Sequence, residues 1–431
     1  MEEKVLKNSK KIIIFIMILA LLIRVLFVFG TQILQLQYDV GNPGKILNLE
    51  EYELLYKDYD KEPYIGRHIN YIMLFYHGLG LPTEIIGQFY HPPLHHFILG
   101  NILKFMDNFD VGADIKLEAM QIAPLIYSSV ILFAFYKILN ELDLTDSQKI
   151  LPMLLVSFMP LNIFMAGSIN NDTLVLMFSV ISLLYILKWH KEPTMKNAIW
   201  LSIWIGLGLT TKTSILVMMI PTVVLFFKKL VKYVEEDKKV GSLLVQIPVF
   251  AIIILTLGFW FQIRNLALGL NSIGIIQPNE ELSVANYSLW ERFGLTNILS
   301  MNKYNIWNYI TYSSLNYGLI YNESLIEGIV AFGSLILMII SICYIVSNYK
   351  ENEESFILAI TYIAWWFGYL YLNLSMPYSC SMSARYMALP FMIGFIMLSK
   401  GLHKDKSKFM NCVVYGLSVL IIAFSIVLFM F

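Results

Sequence analysis

The sequence predicts an all-α polytopic membrane protein. Of its 431 residues, 57% are hydrophobic and only 14% are charged, whereas a soluble protein carries about 25% charged residues. The mean hydropathy is +0.64, and apolar runs long enough to cross a bilayer recur along the whole chain. The first run, 12–30, follows a lysine-rich start without a small-residue cleavage site. We therefore expect a retained membrane anchor there.

The lysines predict how the chain is oriented in the membrane. They cluster in a few connecting segments, at 4–11, 188–196, 228–239, 350 and 400–408. The positive-inside rule places these segments, and with them the N-terminus, in the cytoplasm. Because the chain must leave the cytoplasm and return to it between these segments, eleven membrane spans are required. These are 12–30, 117–137, 150–168, 172–187, two short helices within 197–227, 242–263, 325–347, 356–374, 384–399 and 409–431.

This topology leaves two long outer loops and divides the chain into three parts. The division is a transmembrane core over 1–263 that contains the first outer loop (31–116), a second outer loop over 264–324, and C-terminal spans over 325–431. The segment HPPLHHFILGNILKF (91–105) must begin and end outside, and it is shorter than the roughly 20 residues of a span. We expect a juxtamembrane helix there, with its proline pair in the first turn.

The net charge and the cysteines add little. The formal net charge is zero, and we expect no nucleic-acid partner. The cysteines lie in or beside apolar runs, so no disulfide framework is predicted. They are Cys343, Cys380 and Cys412.

The arginines are distributed differently from the lysines. Only five of the 31 basic residues are arginines, and none of them lies in a predicted cytoplasmic loop. A guanidinium offers a planar fork that matches phosphate or carboxylate. Each arginine could instead pair with an acidic neighbour or reach lipid headgroups, but their shared placement suggests an anionic ligand at the outer face. They are Arg24, Arg67, Arg264, Arg292 and Arg385.

Two acidic positions are candidates for chemistry. Asp39, in YDVG, follows the first span and could act as a general base toward an acceptor hydroxyl, although a helix cap or a partner for Arg24 is an alternative. In SINNDTL (168–174), Asn171 or Asp172 could cap the next helix. The same helix N-terminus would favour an anion.

Two cationic positions at the outer face are candidates for phosphate binding. Lys212, in TTKTS, is the only lysine between two cytoplasmic clusters, and it could hold a phosphate or extend to the interface. Arg385 precedes Tyr386 just inside the outer interface, where a buried arginine is again a phosphate-binding candidate.

The histidines raise the question of a metal. His91 and His95 have i, i+4 spacing, and His68 and Asp39 could complete a site. However, the proline pair places His91 at the helix cap, and no acid interrupts the pair. The alternative is that His91, His95 and His96 form a polar wall of a cavity near Asp39.

Three function classes follow from these features. A membrane transferase with a lipid-linked phosphate substrate accounts for the outer cations and the long outer loops. A transporter or flippase would require inverted repeats and discontinuous helices at the midplane, which the sequence does not clearly show. A structural or sensory membrane protein leaves the arginine distribution unexplained.

Several motifs, in order, resemble the GT-C class of integral-membrane glycosyltransferases, in particular the protein-mannosyltransferase-like and aminoarabinose-transferase-like branch. The resemblance spans about residues 11–400. It rests on the acid in YDVG, on a long first outer loop that holds the HPPLHHF helix (91–97), and on seven spans before a second outer loop. Three further runs match: Pro160, Gly167, Asn171 and Asp172; Gly208, Leu209 and Lys212; and Arg385, Tyr386 and Pro390.

This resemblance implies an inverting transfer of one sugar from a polyprenyl-phosphate donor to a cell-envelope acceptor outside the membrane. Asp39 would be the general base, and no metal cofactor would be needed. Arg264, Arg385 and Lys212 would meet the donor phosphate. Where some relatives carry a second acid beside the first, this chain has Val40, so Asp172 could substitute. The candidate substrate-binding residues are Arg67, His68, His91, His95, His96, Asn171, Asp172, Lys212, Arg264, Arg385 and Tyr386.

Overall fold

The structure is almost entirely helical. The computed structural model describes residues 2–31, 47–57, 68–84, 87–142, 144–270, 282–295, 304–316, 325–405 and 407–430. Asp39 and Arg67 lie outside the described residues. Within them, extended pairing is limited to one isolated bridge between Ser283 and Tyr378, so the predicted all-α fold is confirmed.

The α-helices are numbered in chain order. They are α1 (Glu2–Gly30), α2 (Leu49–Lys57), α3 (His68–Tyr76), α4 (Leu94–Met106), α5 (Ala113–Ala119), α6 (Ile122–Glu141), α7 (Asp146–Phe158), α8 (Pro160–Phe164), α9 (Asp172–Lys191), α10 (Met195–Leu209), α11 (Met219–Glu235), α12 (Gly241–Leu244), α13 (Gln246–Ile253), α14 (Trp260–Ala267), α15 (Leu289–Phe293), α16 (Ile306–Asn316), α17 (Leu325–Asn348), α18 (Glu353–Ser375), α19 (Ala388–Asp405) and α20 (Lys408–Met430). Shorter helical turns are the 3₁₀ helices Thr213–Met218, Ser379–Met382 and Ala384–Met387, and the π-helix Ile254–Gly258.

Nine helical stretches in the described part of the chain are long and apolar enough to cross a membrane. They are Ser9–Gly30, Ala113–Glu141, Asp172–Lys191, Thr213–Glu235, Gly241–Gly258, Leu325–Asn348, Glu353–Ser375, Ser379–Asp405 and Lys408–Phe429. Two predicted spans have no counterpart among them, 150–168 and the first of the pair within 197–227. There α7 has 13 residues and α10 has 15, so each helix is shorter than a typical span.

The break after α7 has a chemical cause. Pro160 begins α8 and has no N–H, so the carbonyl of Val156 loses its helical donor. Asn162 Nδ2 donates to that carbonyl at 2.9 Å. The Arg24 guanidinium donates to the carbonyls of Ser157 and Val156 at 2.9 Å and 3.5 Å. The buried arginine of the first span therefore satisfies backbone groups at a helix break.

Two of the spans lie at the centre of the bundle. In Asp172–Lys191 and in Ser379–Asp405, 83% of the apolar stretch is buried by other parts of the protein. In Thr213–Glu235, Gly241–Gly258 and Lys408–Phe429 only 22% is buried, which leaves most of their apolar surface for lipid. The central pair carries Asp172 and Arg385 at adjacent ends.

The Arg24 contacts lead to a stability prediction. Arg24→Leu leaves the Ser157 carbonyl and the Ser128 hydroxyl, now 2.9 Å from Arg24 Nε, without this donor. We expect the free energy of unfolding to fall by about 2–3 kcal/mol, measured by thermal unfolding of the detergent-solubilised protein. The control is Leu22→Ala, two residues before Arg24 at a position that is 49% exposed. It should change stability by less than about 1 kcal/mol. Equal losses would contradict the role of Arg24.

Candidate functional site

Three segments that are far apart in the sequence meet at one end of the bundle. The Leu94 N–H, in the first turn of α4, donates to the Thr210 carbonyl at 2.9 Å. Asn171 Nδ2, just before α9, donates to the Thr211 carbonyl at 3.2 Å. The HPPL segment, the SINND loop and the TTKTS turn are therefore joined through backbone carbonyls of the turn.

An ionic cluster lies where these segments meet. The Lys212 ammonium is 2.5 Å from Asp172 Oδ1, and Arg385 Nε is 3.2 Å from Asp172 Oδ2. The Asp172 side chain is 4% exposed, while those of Lys212 and Arg385 are 12% and 22% exposed. Each oxygen of the buried carboxylate therefore forms an ion pair with one cation, and both cationic side chains remain partly exposed. We call these three side chains the Asp172 cluster.

Tyr386 brings the two cations together on one surface. Lys212 Nζ lies 4.8 Å from the centre of its ring, and the Arg385 guanidinium lies 5.0 Å from it. The second guanidinium nitrogen of Arg385 donates to the Tyr386 hydroxyl at 3.1 Å. The ring face attracts both cations, so the cluster presents two adjacent positive groups.

Local backbone structure positions Asp172. It is the first residue of α9, where a carboxylate is stabilised by the partial positive charge of the helix N-terminus. Its N–H donates to Asn170 Oδ1 at 3.0 Å. Asn171 occupies the N-cap position predicted for it or Asp172, but its side chain makes no capping hydrogen bond. The side-chain oxygen that accepts a hydrogen bond at the start of α9 belongs to Asn170, one residue before Asn171.

A close helix approach positions Lys212. A Cβ at Gly208 would lie 2.0 Å from Ile215 Cδ1 and 3.1 Å from Ile215 Cγ1, so a larger residue would require the Ile215 side chain to move. The Lys212 N–H then bonds to the Gly208 carbonyl at 2.8 Å. Burial lowers the pKa of Lys212, but the Asp172 carboxylate outweighs that effect and holds the pKa above its ordinary value. Lys212 therefore stays charged at neutral pH.

Three histidines from the region of α3 and α4 form a stacked column beside the cluster. The rings of His91 and His68 are nearly parallel with centres 5.8 Å apart, and those of His68 and His96 are 5.2 Å apart. Tyr71 continues the column 4.2 Å from His96. His68 Nδ1 and His96 Nε2 share a hydrogen bond of 2.9 Å, which ties α3 to α4.

The fourth histidine connects the column to the SINND loop. His95 Nε2 donates to the Ile169 carbonyl at 2.6 Å. His91 precedes α4, because Pro93 is the N-cap residue, so His91 and His95 do not share a helix face. Within the described ranges, no group of three or more His, Cys, Asp or Glu side chains is placed to hold a metal ion.

The four imidazoles are buried and uncharged at neutral pH. All four are at most 7% exposed. Burial lowers the pKa of His68, His91 and His96 well below 6.5, and lowers that of His95 to about 4. Neighbouring histidines and Lys212 lower the pKa of His68, His91 and His96 further. Direct contact of these rings with substrate stays a prediction.

The remaining predicted arginine is placed elsewhere. Arg264 donates to the Pro82 carbonyl at 3.0 Å and to Asn265 Oδ1 at 2.9 Å. Among the described side chains, it forms no ion pair with the Asp172 cluster. A role for Arg264 at the donor phosphate stays a prediction. The buried Arg292, like Arg24, donates to a backbone carbonyl, that of Asn373.

The chain is similar to known proteins in sequence and in fold. Residues 90–259 match the family described as dolichyl-phosphate-mannose-protein mannosyltransferase, a stretch that contains the HPPL segment, Asp172 and Lys212. A solved structure of the archaeal oligosaccharyltransferase AglB from Archaeoglobus fulgidus, in complex with an inhibitory peptide and a dolichol-phosphate, superposes with a TM-score of 0.50 at 12% identity. The fold is of the GT-C class.

Other solved structures are similar to a lesser degree. The apo form of the same Archaeoglobus fulgidus enzyme has a TM-score of 0.49 at 11% identity, over 96% of this chain. ArnT from Cupriavidus metallidurans in the apo state has a TM-score of 0.38 at 14% identity, over 78% of this chain and 72% of that one. No curated protein sequence matches the chain.

The GT-C chain described here is much shorter than the archaeal enzyme. The superposition with the AglB complex covers 96% of this chain and 56% of that one, so the chain spans about half the length of that relative. The matched family is described as a mannosyltransferase, and AglB is described as an oligosaccharyltransferase. The likeness shows the shared fold, and it leaves donor and acceptor to be inferred from the site.

The neutral histidines predict a pH dependence of stability. In the unfolded chain these imidazoles bind protons below about pH 6.5, while in the folded protein His95 does so only near pH 4. Stability should therefore be complete above pH 6.5 and fall as the pH drops toward 4, by up to about 1.4 kcal/mol per pH unit for each histidine. Unfolding temperature measured from pH 7.5 to 4.5 checks this.

Two variants separate this effect from general acid sensitivity. His95→Asn removes one of the buried imidazoles and should make the pH profile shallower. His403→Asn, at an exposed position in α19, should leave the slope unchanged. Parallel profiles for both variants and the wild type would contradict the neutral-histidine account.

Proposed function

We propose that this GT-C protein transfers a sugar from a polyprenyl-phosphate donor to a cell-envelope acceptor, with inversion at the anomeric carbon. The observation that carries the proposal is the Asp172 cluster, in which Lys212 and Arg385 lie side by side over Tyr386. Both cations are partly exposed at the end of the two central spans. A phosphate attached to a chain in the bilayer would meet them there.

The proposed reaction has one displacement step. Asp39 takes the proton of the acceptor hydroxyl, whose oxygen forms a bond to the anomeric carbon. The bond from that carbon to the phosphate oxygen breaks, and its electron pair stays on the phosphate. The polyprenyl phosphate gains negative charge as it leaves. Fixed cations at this point stabilise the transition state more than the ground state.

Within this proposal, Asp172 has a different role from Asp39. Its two oxygens are occupied by an ammonium and a guanidinium. A carboxylate paired in this way is a weak proton acceptor, so Asp172 acts as the counter-ion that positions both cations. That the reaction needs no metal stays a prediction of the family resemblance.

The donor proposal is tested by Arg385→Lys. Lysine has no planar fork, so it cannot contact Asp172 and the Tyr386 hydroxyl as the guanidinium does. We expect at least tenfold weaker binding of a polyprenyl phosphate to the protein in nanodiscs. In cells, lipid-linked sugar should accumulate, and we expect the same accumulation in a strain that lacks the gene.

The control is a lysine at the far end of the bundle. Lys404 pairs with Glu351 and bonds to Asn348 Oδ1 at 3.2 Å, and Lys404→Ala should behave as the wild type in both assays. Equal effects of Arg385→Lys and Lys404→Ala would overturn the assignment of the phosphate site.

We further propose that the Asp172 cluster faces the outside of the cell membrane and that the N-terminus is cytoplasmic. The lysine-rich ends of α9 and α11 support this orientation by the positive-inside rule. Single cysteines at two exposed positions test it, in a chain whose own three cysteines are replaced by serine. Asp110→Cys should react with a membrane-impermeant maleimide on intact cells, and Lys239→Cys only after lysis. The reverse pattern would contradict the orientation.

A further inference from the structure

The turn that carries Arg385 has little regular structure of its own. It connects α18 to α19 through two four-residue 3₁₀ helices, Ser379–Met382 and Ala384–Met387. Helices this short satisfy few of their own backbone groups. The position of Arg385 therefore depends on side chains from elsewhere that bond to the backbone of the turn.

Helix α18 supplies two of these bonds. Trp365 Nε1 donates to the Tyr386 carbonyl at 2.5 Å, and the Tyr369 hydroxyl donates to the Met382 carbonyl at 2.5 Å. Since α18 runs directly into the turn, these are contacts within one local unit. They fix the turn relative to its own helix.

The second outer loop supplies two more bonds, one near each end of the turn. The Val284 N–H donates to the Pro377 carbonyl at 2.8 Å. Ser313, in α16, accepts a hydrogen bond at 2.8 Å from the Ala384 N–H through its hydroxyl. Ser313 is fully buried, so water cannot replace it as the acceptor.

The bond to Ala384 is placed one residue before Arg385. It fixes the Ser383–Ala384 peptide unit, which lies immediately before the peptide that leads to the Arg385 backbone. Arg385 must then bring Nε to 3.2 Å from Asp172 and a terminal nitrogen to 3.1 Å from the Tyr386 hydroxyl. The hydrogen bond to the Tyr386 hydroxyl weakens steeply as its angle departs from linear, so a small rotation of the backbone before Arg385 weakens this bond and moves the guanidinium away from Asp172.

We infer that Ser313 is a positioning residue for Arg385, through which the second outer loop controls the phosphate-binding site. This inference rests on the proposed function. Ser313 itself does not touch the donor.

The chain provides a matched control in the next residue. Ser314 is as completely buried as Ser313 and lies on the same helix. Its hydroxyl donates to the Thr311 carbonyl at 2.6 Å, which is a bond within α16. Ser314→Ala therefore removes the same atom from the same helix without changing the support of the Arg385 turn.

The experiment measures binding of a polyprenyl phosphate and of the matching polyprenol to the full chain in nanodiscs. Ser313→Ala should bind the phosphate about tenfold more weakly, a change of about 1.4 kcal/mol, with polyprenol binding unchanged. Ser314→Ala should bind both as the wild type does. Loss of affinity for both lipids in Ser313→Ala would indicate general damage to the fold and would overturn the inference.

A double-mutant cycle with Arg385→Ala tests whether the effect passes through the arginine. If Ser313 acts through Arg385, Ser313→Ala should cause no further loss in the Arg385→Ala background. The same tenfold loss in both backgrounds, or no loss in the wild-type background, would overturn the positioning role alone. A wild type that prefers neither lipid would overturn the proposed function and this inference with it.

Discussion

A carboxylate inside an apolar helix bundle is stable only if cations neutralise it, and Asp172 imposes that requirement on the structure. An unpaired charge at this depth would cost several kcal/mol. Lys212 and Arg385 supply the two partners, and they come from segments 40 and more than 200 residues away. The start of α9, the TTKTS turn and the turn before α19 are therefore held to one point.

The same requirement explains features around the cluster. Gly208 lets the chain fold back closely before Lys212, because a Cβ there would displace the Ile215 side chain. The neutral histidines fill the adjoining space without adding a third positive charge. A guanidinium has five N–H donors and an ammonium has three, so both groups can contact a phosphate while Asp172 keeps them in place. The proposed anion site is therefore built from the same two cations that neutralise Asp172 in the bundle.

Much of this architecture can be predicted from the sequence because hydrophobicity reports directly on spans. Long apolar runs such as 325–347 and 409–431 correspond closely to α17 and α20. The helix break at Pro160 is harder to predict from the sequence, because the run 150–168 remains apolar across it. What stops the helix there is a missing N–H, and the compensating donor, Arg24, lies in another helix.

The candidate site shows the limit of prediction more clearly. Lys212, Arg385 and Asp172 stand out as polar residues at the ends of apolar runs, yet nothing in a single sequence reports that three such ends meet. Arginine placement alone pointed to an anion site. Arg24 and Arg292 nevertheless donate to backbone carbonyls, since an arginine can satisfy several buried acceptors at once. Ser313 has no sequence signal, because its role depends on a backbone N–H in another loop.

The most direct test of the central claim is an experimental structure of the protein with a bound polyprenyl phosphate. The account predicts phosphate oxygens at about 3 Å from Lys212 Nζ and from the Arg385 guanidinium, as in other charge-assisted hydrogen bonds. Asp172 should remain paired with both cations. A phosphate bound elsewhere on the outer face, with the Asp172 cluster unchanged and out of contact, would contradict it.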